Sequence, residues 1–147
     1  MTRMVDVTTL DVRIAVARAR VARVAERVLR AEGVRHAMLS IAFVTDREIA
    51  ALNWRHLRHR GPTDVIAFGF APAAKGGPVV GDIYIAPAVA RRNAHEHGRG
   101  VREETLRLVV HGVLHVLGHD HPEDASRYES PMWRRQERLL RSALAAA

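Results

Sequence analysis

Apolar residues recur along this chain at two spacings, every second residue and every third or fourth. The changes from one to the other mark its elements. A short strand is predicted at 4–7. Leu10, Ile14, Ala17, Val21, Val24 and Val28 then fall on one stripe, which predicts a helix over 9–32 with Arg13, Arg20, Arg27 and Arg30 largely off it. Thr8 with Asp11 has the form of a capping box, and Gly33 is a natural stop. In "AMLSIAFV" (37–44), Leu39, Ile41 and Phe43 alternate as in a strand. Thr45 and Glu48 repeat the capping-box pattern, so 46–57 is predicted helical. "GPTDVIAFGF" breaks that helix and supplies a strand near 64–70, 71–78 is a loop, and "VVGDIYIA" (79–86) is the next strand. Pro87 opens a short helix to about 97, ended by Gly98 and Gly100. A longer helix follows over 101–117, with Leu106, Val109, Val110, Val113 and Leu117 as its core face. Ser130-Pro131 opens a last helix to about 144, with Met132, Gln136, Leu139, Leu140 and Ala143 along one side. This order is that of a single α/β (α+β) domain, a small mixed sheet of about four strands packed with about five helices. The length of 147 residues suits one domain, and there is no internal repeat.

Composition narrows the function. Hydrophobic residues make up 48% and charged residues 27%, as in a soluble globular protein. No apolar run approaches the ~18 residues of a membrane span. The first residues carry charges throughout, unlike a signal peptide, so a cytoplasmic location is expected. There is no cysteine, which removes disulfides and thiolate chemistry and leaves His and carboxylates as the only metal ligands. The net charge is +7, nearly all of the basic residues being arginine, which suits a polyanionic partner, most simply nucleic acid. A coding bias that swaps Lys for Arg explains the arginine equally well, so charge alone decides little.

The chemistry concentrates in "HGVLHVLGHDH" (111–121). His111 and His115 are four apart on the long helix and point the same way, so both imidazoles can reach one ion at ~2.0–2.1 Å. At ~100° per residue they lie on a face turned away from the Leu106 stripe. Gly118 tolerates the left-handed backbone that turns the chain, and His121 can then fold back to the same ion. Three protein ligands leave a fourth position open, the arrangement of a catalytic zinc, although imidazole also suits other transition metals. Such an ion activates water and polarises a phosphoryl or carbonyl oxygen. His119 reads as a flanking residue. Asp120 can orient a ligand histidine, act as a base, or cap the turn. The spacing matches the metalloprotease pattern H-E-x-x-H-x-x-G-x-x-H except at Gly112, where the protease has its general-base glutamate. Glycine moves no proton, so a phosphodiester is a better-suited substrate than a peptide.

These residues resemble the YbeY family of metal-dependent endoribonucleases. "HGVLHVLGHDH" is similar to the family's H-G-x-L-H-L-x-G-Y-D-H core, with His119 where Tyr is usual. "ALNWRHLRHRGPTDVIAFGF" (51–70), "GDIYIAPAVARRNA" (81–94) and "MWRRQERLL" (132–140) resemble further family blocks in the family's order, with Gln136 replacing a glutamate in the last. The resemblance implies one zinc ion on His111, His115 and His121. It also implies a single-strand endoribonuclease that matures the 3′ end of 16S ribosomal RNA and serves ribosome quality control, with the small ribosomal subunit and its assembly proteins as partners. The family's frequent arginine falls on Leu57, which cannot clamp a phosphate. Arg58 is the nearest substitute and the expected catalytic arginine, with Asp120 as the other candidate. Arg55, Arg58 and Arg60 are expected to contact substrate, with Arg91, Arg92 or Arg99 as further phosphate contacts. Asn53, Thr63 and Asp64 carry over by position, Thr63 first as a turn residue and Asp82 as a strand-edge residue. Glu103 and Glu104 suit the positive end of the long helix rather than the role of base. Two rivals stand beside this reading: a metal-dependent hydrolase of another class, such as a peptidase, and a ribosome-assembly factor that binds RNA around a structural zinc. Oligomeric state is left open.

Overall fold

In the computed structural model, which describes residues 1–70 and 74–146, the apolar face expected of the long helix extends to its whole circumference. Every residue from Glu104 to Leu114 is buried. A helix closed in on all sides belongs at the centre of a fold, and the other elements are arranged around it. In chain order they are β1 (Thr2–Thr9), α1 (Arg18–Ala31), β2 (His36–Phe43), α2 (Asp46–Leu52), β3 (Val65–Phe70), β4 (Val79–Ile85), α3 (Pro87–Glu96), α4 (Val101–Val116) and α5 (Pro131–Ala145). The strands form one mixed sheet, β1-β2-β4-β3. β2 runs parallel to both β1 and β4, while β3 is antiparallel to β4. The expected order and class therefore hold. Of the loop expected at 71–78, residues 71–73 lie outside the described residues.

One core joins the inward residues of β2 (Leu39, Ile41, Phe43) and β4 (Ile83, Ile85) to α1, α4 and α5. Each such Leu, Ile or Phe side chain contributes roughly 1.5–3 kcal/mol on burial. α4 lies close to the sheet because three glycines, Gly69, Gly81 and Gly112, face the contact. A Cβ on Gly112 would stand 2.7 Å from Ile83 Cγ2, and one on Gly81 would stand 2.5 Å from Val116 Cγ1. On its other side α4 meets α5, whose Met132, Gln136, Leu139, Leu140 and Ala143 are all buried. There Arg107 donates to Glu104 at 2.9 Å and to Glu137 at 3.0 Å, tying the two helices. A second, smaller core of Ala42, Val44, Ile49, Leu52, Ile66 and Ala86 lies under α2.

Three expectations need correction. The helix expected over 9–32 begins only at Arg18. Thr8 belongs to β1, paired with Ala42, and Asp11 adopts a φ of +58°, so the expected cap does not form. β1 extends along all of β2, and that ladder outweighs the local helical pattern. Val12, Ile14 and Val16 then turn inward at every second position, while Leu10 is exposed. The helix expected over 46–57 is α-helical only to Leu52 and continues as a π-helical turn, Asn53–Leu57, which ends at Arg58 with a φ of +57°. The Thr45 cap on the Glu48 N–H does form, at 3.1 Å. Finally, His111 does not face away from the core: it is buried, 7% exposed, with α5 over it.

Candidate metal centre

His111 and His115 stand one turn apart near the end of α4. Gly118, with a φ of +97°, turns the chain. Its N–H donates to the His115 carbonyl and the His119 N–H donates to the Leu114 carbonyl, each at 3.0 Å, the two bonds of a Schellman motif. The reversed chain carries His121 back over α4, and Asp120 Oδ1 holds that turn by accepting from the His121 N–H at 2.8 Å. The three histidines each offer a ring nitrogen, all within 4.8 Å of one another. Hydrogen bonds choose which nitrogen. His111 Nδ1 lies 2.6 Å from Gln136 Oε1 and His121 Nδ1 lies 2.7 Å from the Pro122 carbonyl. Both oxygens accept only, so each Nδ1 carries the proton and each Nε2 lone pair is left free. His111 Nε2 and His115 Nε2 face each other at 3.0 Å.

This arrangement fits a transition metal such as zinc. The donors are all imidazole nitrogens, and Gln136 supplies the outer hydrogen bond that usually orients a ligand histidine. Burial, then the nearby His115, pushes the pKa of His111 down to about 3. Burial, then His121, lowers that of His115. Both rings are therefore neutral at neutral pH, as ligation requires.

The triad opens on a cavity of about 420 Å³ whose wall also includes Leu57, His59, Thr63, Asp64, Asp120, Glu123 and Arg127. Burial raises the pKa of Asp64, against a backbone hydrogen bond from Val65 and the charge of Arg127. Its Oδ2 accepts from Asn93 Nδ2 at 3.2 Å. Asn53 is buried and ties the neighbouring loop by donating to the Gly61 carbonyl at 3.0 Å. Leu57 and His59 line the cavity, whereas Arg58 and Arg60 lie over the Trp54 ring, 5.5 and 5.3 Å from its centroid. Arg55 is exposed on the same turn. Arg92 is paired with Asp46 at 3.0 Å and Arg99 with Glu104 at 3.5 Å.

Three participants escaped the sequence reading. Gln136 stands out in the sequence as a core-side residue of α5 and as the replacement for a family glutamate, and neither marks it as the partner of His111. Arg127 lies in "EDASRYESP", where Asp124 and Ser130 signal caps and nothing signals a site. His119, expected only to flank, lies 2.5 Å from Glu32 at the end of α1, and Arg135 of α5 donates to the same carboxylate at 2.8 Å. Burial of Glu32 opposes its ionisation, yet the hydrogen bonds from Arg135 and His119 outweigh it and lower its pKa. This cluster fastens the turn that delivers His121 to two helices.

The family model described as Endoribonuclease YbeY matches residues 6–143. The chain belongs to the YbeY family. The Endoribonuclease YbeY of Aquifex aeolicus is 36% identical over 123 residues, 84% of this chain and 81% of that one. That of Pelotomaculum thermopropionicum is 39% identical over 124 residues, 80% of each chain. The solution structure of TM1509 from Thermotoga maritima matches with a TM-score of 0.61 at 22% identity, over 95% of this chain and 89% of that one. That likeness is one of fold. The match thus takes in the second half of β1 and all of α1, which the motif blocks of the sequence did not reach.

Proposed function

We propose that this protein is a zinc-dependent, single-strand-specific endoribonuclease. Its substrate is ribosomal RNA, its roles are maturation of the 16S 3′ end and ribosome quality control, and its partners are the small ribosomal subunit and assembly proteins in the cytoplasm. The observation that carries this reading is the convergence of three imidazole nitrogens on the wall of a cavity open to solvent, in a chain of net charge +7. Among the described residues, no helix is long and apolar enough to cross a membrane.

When bound, zinc supplies a Lewis acid for a phosphoryl oxygen and lowers the pKa of water. The chain's own residues supply the rest. Gln136 orients His111, and Asp120 sets the His121 backbone. Asp64, whose raised pKa brings it nearer neutrality, is suited to hold and release a proton in the cavity. Arg55, Arg58 and Arg60 gather phosphates along the rim beside Trp54, and the open part of that indole, 45% exposed, offers a face for a base.

The test is cleavage of single-stranded 16S RNA fragments by zinc-loaded protein, with and without chelator, beside His115→Ala. Cleavage is expected from the parent and lost with chelator or in the variant. Undiminished cleavage by His115→Ala would sink the proposal. RNA binding without any cleavage would point instead to an assembly factor, a reading that Leu57 in the cavity wall favours.

A further inference from the structure

The cavity beside the triad carries the carboxylates Asp64, Asp120 and Glu123. A phosphodiester brought there needs a cation to offset them. From the segment before Thr63 the wall takes Asn53, Leu57 and His59, and no arginine. Among the described residues, one arginine lines this cavity, Arg127. Arg127, Asp64 and His111 also line a second cavity of about 180 Å³, so these three form the partition between the two.

The backbone of Arg127 is held from both sides. It lies in a 3-10 turn, Ala125–Glu129. At the start, Asp124 Oδ1 accepts from the Ser126 N–H at 2.9 Å and from the Ser126 hydroxyl at 2.5 Å. At the end, the Ser130 hydroxyl donates to the Arg127 carbonyl at 2.7 Å and accepts from the Trp133 N–H at 3.2 Å. The side chain lies along Tyr128, with Cζ 5.6 Å from the ring centroid. Its Nε is buried and has no hydrogen-bond partner. Other partly buried arginines are satisfied: Arg107 binds Glu104 and Glu137, and Arg135 binds Glu32. Among the described residues, no carboxylate is within ion-pair distance of Arg127. Its two terminal nitrogens, which no carboxylate holds, form the end of a guanidinium that grips two phosphate oxygens at once.

We infer that Arg127 binds the RNA phosphate adjacent to the histidine triad, the one phosphate held at the centre of the cavity rather than along its rim. This rests on the reading of the cavity as an RNA site. Arg58 and Arg60, stacked on Trp54, then serve flanking phosphates.

The experiment compares zinc-loaded parent, Arg127→Gln, Arg127→Lys and Arg58→Gln on a short single-stranded RNA. Binding is measured on ice across a salt series, and cleavage separately. Arg127→Gln is expected to lower kcat/KM by about 10- to 100-fold, the loss of one charge-assisted contact. It should also make the slope of log affinity against log salt shallower by about 0.7. Arg127→Lys should keep the parent's slope and recover part of the cleavage, because a lysine preserves the charge but not the fork. Zinc content and melting temperature should match the parent in the three variants. An unchanged slope in Arg127→Gln overturns the inference, whatever happens to cleavage. If the parent binds RNA and never cleaves it, the nuclease reading fails alone and the slope still decides on Arg127. If the parent binds no RNA, both fall.

Discussion

Gln136 shows how much of a metal site lies outside its ligands. It is 1% exposed, and its Oε1 fixes both the tautomer and the angle of His111. Gln136→Leu keeps the volume and removes that acceptor. Zinc affinity should fall by about 10- to 100-fold, read by competition with a chromophoric chelator, with the fold retained. A second expectation concerns acid. In metal-free protein His111 has a pKa of about 3, against an ordinary 6.5. Above pH 6.5 neither the folded nor the unfolded chain protonates this ring. Between 6.5 and about 3 the unfolded chain holds a proton that the folded chain does not, so stability falls as pH drops. The slope from this residue approaches 1.4 kcal/mol per pH unit at most, roughly, and the lowered pKa of His115 adds with the same sign. Urea denaturation at pH 7, 6 and 5 reads it, and a flat profile would contradict a neutral, buried His111. The ligands themselves were legible because their geometry is local, one helical turn and one glycine turn. Gln136 and Arg127 were not, because their roles arise from packing between segments distant in sequence.

Elements were legible wherever one pattern acted alone. The caps at Thr45 and Ser130, the Pro87 start and the Gly118 stop all formed as their chemistry requires. The failure at 10–17 came from two patterns overlapping. Leu10, Ile14 and Val21 fit a helix, while Val12, Ile14 and Val16 fit an extended chain crossing the core. Pairing along the whole of β2 selected the second. The expected outward face for His111 failed for a related reason: a single stripe was assigned to a helix that the fold surrounds. The contact of α4 with β4 is testable at this scale. Gly112→Ala adds a methyl 2.7 Å from Ile83 Cγ2. Overpacking of this kind costs about 1–3 kcal/mol, against a gain of roughly 0.5–1 kcal/mol in helix propensity. Net destabilisation is expected in thermal or urea unfolding, and a stabilised Gly112→Ala would mean that α4 sits farther from the sheet.

For the molecule as a whole, the metal should act as a fastener. α4 bears on β3, β4, α1, α3 and α5, and His121 joins it to the turn that Glu32 and Arg135 anchor. Zinc that binds the folded chain alone stabilises it by about 2.7 kcal/mol at a hundredfold excess over Kd. Calorimetry should show a melting temperature that rises with free zinc and returns to the metal-free value with chelator. A melting temperature indifferent to zinc would place the ion elsewhere. The close seating of α4 on β4 also restricts what this scaffold can become. Its ligand spacing lacks only a glutamate at 112 to match a metalloprotease, and Gly to Glu is a single-base change from some glycine codons. Yet the first added carbon would strike Ile83, and the carboxylate would enter the apolar sheet instead of the cavity. The route to peptide hydrolysis is closed by the interior of the protein, at a position that substrate never meets.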